Sequence, residues 1–100
     1  MNPEIVNTRY QSLVGTLENA LVRKLRVEAA LRMAKLEGNR RAERDNDLKI
    51  AKLLDEIDIT CVDISREWGA GLLNRVRREA DERARVAFAK EQARWGSVEG

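Results

Sequence analysis

The sequence predicts an all-α protein, either an elongated helical hairpin or a three-helix bundle, and three observations point there. Apolar residues recur at spacings of three and four over most of the chain, which marks one face of a helix. The single proline, Pro3, stands at the extreme start, so it breaks no interior segment. Only four of the 100 residues are aromatic: Tyr10, Trp68, Phe88 and Trp95. Any core must then be built of Leu, Ile, Val and Ala, which suits packed helices better than a sandwich.

The first helix is predicted at residues 3–37. Asn2 is a suitable N-cap, Pro3 fits the first helical position, and Glu4 suits the positive end of the helix dipole. Tyr10, Leu13, Val14, Leu17, Leu21, Leu25, Val27, Leu31 and Ala34 form its apolar stripe, and Gly38-Asn39 is a C-terminal stop. Thirty-five helical residues span about 52 Å, whereas a compact domain of this length has a radius of gyration near ~13 Å. The helix must either bend or belong to an elongated molecule. Residues 39–47 hold three basic and three acidic side chains and nothing apolar larger than alanine. They read either as a solvated helix end or as a charged connector, with Asp45, Asn46 and Asp47 as candidate caps for the second helix.

That second helix is predicted at residues 46–67 and has the most regular pattern. Ile50, Leu54, Ile57, Cys61, Ile64 and Trp68 alternate spacings of four and three, a heptad seam. Ile57 to Cys61 also alternates like a strand, but the heptad accounts for more residues. Gly69-Ala70-Gly71 marks a break. The third helix, at residues 71–95, has a thinner stripe of Leu73, Val76, Ala80, Ala84, Ala87 and Phe88. Residues 96–100 read as a frayed tail. The whole chain is one domain.

The composition excludes several functions. Charged residues make up 36% and the net charge is only +2, spread as mildly basic ends around an acidic middle. That is not the lopsided field of a dedicated nucleic-acid binder. The start resembles no signal peptide and no uncharged stretch nears eighteen residues, so a cytoplasmic protein without a membrane span is expected. Cys61 is the only cysteine, so no internal disulfide forms. Histidine is absent, which removes the commonest general base and imidazole metal sites. Some all-helical nucleotide pyrophosphohydrolases hold magnesium with ExxE followed by ExxD. Here Glu79-x-x-Glu82 follows Asp55-x-x-Asp58 in the reverse order, and a solvated acidic face accounts for both. No phosphate-cradling glycine loop occurs. No enzyme activity, cofactor or metal is expected.

Two binding readings remain. The long seams point to a non-enzymatic protein-interaction module acting as an oligomer, expected to be a dimeric bundle. Its interface residues would come from Leu13, Leu17, Leu21 and Leu25 on the first helix. The second helix would add Ile50, Leu54, Ile57, Cys61, Ile64 and Trp68, and Trp95 could anchor a partner. The alternative is a nucleic-acid-associated regulator holding phosphates with Arg75, Arg78 and Arg85. Against it, the spacing places Arg75 one turn from Glu79, Arg78 from Glu82, Glu79 from Arg83 and Asp81 from Arg85, an ion-paired solvent face. Asp63 to Gly69 resembles the first helix and turn glycine of a helix-turn-helix motif, but Arg75 stands where that motif requires an aliphatic residue.

Overall fold

The computed structural model describes the backbone of residues 3–99 and the side chains of residues 8–94. Three helices account for it: α1 (Pro3–Glu37), α2 (Arg40–Trp68) and α3 (Ala70–Glu99). The segment from Ile57 to Cys61 is helical, so the apolar stripe prevails over the local β-branched alternation.

The junctions are shorter than the sequence suggests. Gly38 adopts φ +69°, its N–H donates to Lys35 O (3.2 Å), and the Asn39 N–H donates to Ala34 O (2.9 Å). This pair of bonds closes α1 as a Schellman motif. Asn39 then caps α2, its side-chain oxygen accepting from the Ala42 N–H at 3.1 Å. The charged connector expected at 39–47, with its caps at Asp45 to Asp47, is therefore corrected: residues 40–47 are the first two turns of α2. Charge alone does not interrupt a helix whose cap is already satisfied upstream. Gly69, at φ +91°, makes the second junction in one residue: its N–H donates to Ser65 O (2.8 Å) and its carbonyl accepts from the Leu73 N–H (3.2 Å). The break expected at 69–71 is thus confined to Gly69, with Gly71 inside α3. The helical backbone also continues past the stop expected at Gly96, as far as Glu99.

Ion pairs fix the directions. Arg9 meets Glu67 and Arg23 meets Glu56, each at 3.8 Å, so α2 returns antiparallel to α1. Tyr10 bonds Glu79 and Arg26 bonds Glu91, so α3 runs parallel to α1. α1 is the common strut against which the other two pack, while α2 and α3 touch each other less. The Cα radius of gyration is 16.3 Å and the extents are 54 × 31 × 15 Å. Of the two alternatives posed by the length of α1, the elongated molecule is the one observed.

The core lies at the Gly69 end. Val14, Leu17, Leu21 and Val22 of α1 meet Ile57, Cys61 and Ile64 of α2 and Val76, Ala80 and Ala84 of α3. Tyr10, Leu13, Leu25, Trp68, Leu72 and Leu73 close its margins. Beyond it the α1–α2 hairpin continues with Ala34 and Leu53 buried, and ends with Met33, Leu36 and Leu48 exposed.

Ala80 is fully buried, whereas Ala87, two turns further along α3, is exposed. Ala80→Leu is expected to destabilise the chain by about 1–3 kcal/mol through overpacking. Ala87→Leu should stay within about 0.5 kcal/mol of wild type. Urea unfolding followed by circular dichroism measures both.

Candidate interaction surface

The heptad seam of α2 divides on folding. Ile57, Cys61 and Ile64 are buried inside a single chain, Ile50 and Trp68 are half-buried, and Leu54 remains 43% exposed. On α1, Leu17 and Leu21 are buried, and Leu13 and Leu25 pack at the margin. These residues are brought together as the core of one molecule. Cys61 lies within it, with Arg77 Nη1 at 3.7 Å from its Sγ. Trp68 closes the Gly69 end, with the Arg9 guanidinium 6.0 Å from its ring centroid. The side chain of Trp95 lies outside the described residues.

A different face of α2 is left open. Leu48, Lys52, Asp55, Ile59, Val62 and Arg66 are all exposed. They repeat the four-three spacing of the inner seam, each two residues earlier. Two residues turn about 200° around a helix, so this outer seam lies opposite the core. Leu48 and Ile59 are each 63% exposed and Val62 is 47% exposed. The outer seam is hidden in the sequence because its polar members, Lys52, Asp55 and Arg66, disguise the repeat as an ordinary solvent face. The signal available is Leu48, Ile59 and Val62, three aliphatics that the inner seam does not absorb.

Exposed charges of both signs flank this face: Arg44, Asp45, Lys49 and Lys52 in the first half of α2, and Asp55, Asp58, Asp63 and Arg66 in the second. Among the described residues none of these eight forms an ion pair within 4.0 Å, while neighbouring Glu56 is held by Arg23.

On α3 the four ion pairs expected from spacing reduce to one. Glu79 bonds Arg83 at 2.8 Å and also accepts from the Tyr10 hydroxyl, so it is drawn away from Arg75. Arg75, Arg78 and Arg85 are exposed with no carboxylate within 4.0 Å among the described residues. Arg26 instead holds Glu91 through two bonds, 2.9 and 2.7 Å, which keep the Glu91 carboxyl below its usual range. A cleft of about 390 Å³ between α1 and α2 is lined by Arg23, Arg26, Lys49, Lys52 and Glu56 over Val27 and Leu53. Its two arginines are already tied to Glu56 and Glu91.

Among the described residues no cluster of three or more Cys, Asp or Glu side chains is arranged to hold a metal ion, and no helix is long and apolar enough to cross a membrane. No family model, curated protein or solved structure matches this chain.

The Tyr10–Glu79 bond ties α1 to α3 and has a testable pH signature. Hydrogen bonding to the Glu79 carboxylate, reinforced by burial, holds the Tyr10 hydroxyl above its ordinary value of 10.0. A raised phenol contributes stability that is fully present below its unfolded pKa and is lost as pH rises through the folded one. The stability gap between wild type and Tyr10→Phe is therefore expected to be constant from neutrality to about pH 9 and to close above about pH 10. Urea unfolding of the two proteins across that range checks it.

Proposed function

We propose that this chain is a non-enzymatic protein-interaction module that works as an oligomer, in its simplest form a dimer. The observation that carries the reading is the outer seam of α2, three large aliphatic side chains left exposed on a regular helical repeat. Aliphatic surface arranged on a helical period is what a second helix covers. The elongated shape supports the same reading, because a thin molecule of 54 × 31 × 15 Å leaves long helix flanks open. Size-exclusion chromatography with in-line light scattering is expected to give a mass above the 11.4 kDa of one chain, approaching twice that value as concentration rises. A single chain's mass at every concentration would overturn the oligomer.

One observation favours a second reading, a nucleic-acid-associated regulator. Arg75, Arg78 and Arg85 are exposed and free of carboxylates within 4.0 Å among the described residues, and helical geometry sets them on one side of α3. Phosphate contacts by these three give binding that weakens steeply with salt, with a log–log slope near ~3 on duplex DNA. Under this reading, replacing all three by Glu abolishes binding in a fluorescence-anisotropy titration. Binding that survives the replacement excludes these residues as the contact.

A further inference from the structure

We infer that the cleft between α1 and α2 is a binding site for a small phosphate monoester with an apolar body, a function separate from the oligomer reading above. The two helices run antiparallel, and spacings of three and four bring one edge of each to the cleft. Arg23, Arg26 and Val27 come from α1, and Lys49, Lys52 and Leu53 from α2. The volume, about 390 Å³, lies within the range of small-molecule sites. Val27 and Leu53 give it an apolar floor, and Leu53, 5% exposed, lies outside the main core.

Charge decides the ligand. Glu56 is the one acidic side chain lining the cleft among the described residues, and Glu91 of α3 holds Arg26 from outside it. Four cations against these two carboxylates leave two positive charges unmatched, and a phosphate monoester carries about −1.5 to −2 at pH 7. The two ties orient the arginines without exhausting them. The Arg26–Glu91 bonds use Nε and Nη2, which leaves the two N–H groups of Nη1 to donate elsewhere. Arg23 Nη1 stands 3.8 Å from Glu56, beyond hydrogen-bond reach. Guanidinium forks match phosphate oxygens, and lysines add point charge. Lys49 and Lys52 are exposed, and Asp45 and Asp55, one turn to either side of them on α2, pair with neither within 4.0 Å. Lys52 is shared with the outer seam, its long stem reaching the rim of the cleft. A bare phosphate would leave the Val27 and Leu53 floor unused, and a diester chain carries a single charge on each phosphate.

Titration of the nitrogen-15-labelled full chain with naphthyl phosphate at low salt, followed by amide chemical shifts, tests the site. Shifts are expected to concentrate at residues 23–27 and 49–56. Inorganic phosphate and naphthol, which each lack half of the ligand, should bind at least roughly tenfold more weakly than the ester. Lys49→Glu and Lys52→Glu are each expected to weaken binding roughly tenfold, whereas Arg75→Glu on α3 should leave it within about twofold of wild type. All three positions are exposed, and the amide spectrum of each variant verifies that it keeps its fold. Absence of shifts at millimolar ester, shifts centred on Arg75, Arg78 and Arg85, or binding indifferent to both lysine reversals overturns the site. Inorganic phosphate bound as tightly as the ester overturns the ligand class, since the apolar floor then contributes nothing. An oligothymidylate that occupies the same residues more tightly than the ester overturns it in favour of nucleic acid.

Discussion

Small side chains on α3 govern how the rest of this fold is held. Where Val76, Ala80 and Ala84 meet Val14, Leu17 and Leu21 of α1, the contact is fully closed, and Val14, Val76 and Ala80 have no exposed surface. Alanines let two helix backbones come close but bury little area each. The large aliphatic side chains of the core must therefore come from the other two helices. This explains why Ile57, Cys61 and Ile64 of α2 are consumed inside the chain: without them the α1–α3 contact would have no third wall. It also explains why the core occupies only the Gly69 end, where a one-residue junction holds α2 and α3 together.

Much of this is legible in the sequence, for reasons that differ by element. The three helices follow from apolar period and from glycine stops, and those signals are local. The connector expected at 39–47 fails because a run of charge is no break in itself. The cap that matters, Asn39, stands six residues before Asp45, the earliest of the three candidate caps. The pairing of Glu79 escapes the sequence for a different reason. Spacing along one helix offers it Arg75 and Arg83 equally, and only the tertiary contact with Tyr10 decides between them. The outer seam is obscured because half of it is charged. A period shared by aliphatic and ionic residues becomes visible as a surface only once the opposite face is known to be full.

With both faces of α2 accounted for, the functional reading acquires a physical basis. One helix carries two heptad seams about 200° apart. The inner one builds the molecule. The outer one sets Leu48, Ile59 and Val62 among exposed charged side chains of both signs, and none of its members is used by the core.

The central claim is that the core closes within one chain while association uses a separate face. Small-angle X-ray scattering across a dilution series at high salt tests this most directly. The account predicts a dilute limit close to the 16.3 Å radius of gyration of the folded single chain, with growth only as concentration rises and salt falls. Expansion on dilution toward the ~30 Å of an unfolded chain of this length would contradict it. That result would mean the inner seam itself needs a second copy to fold.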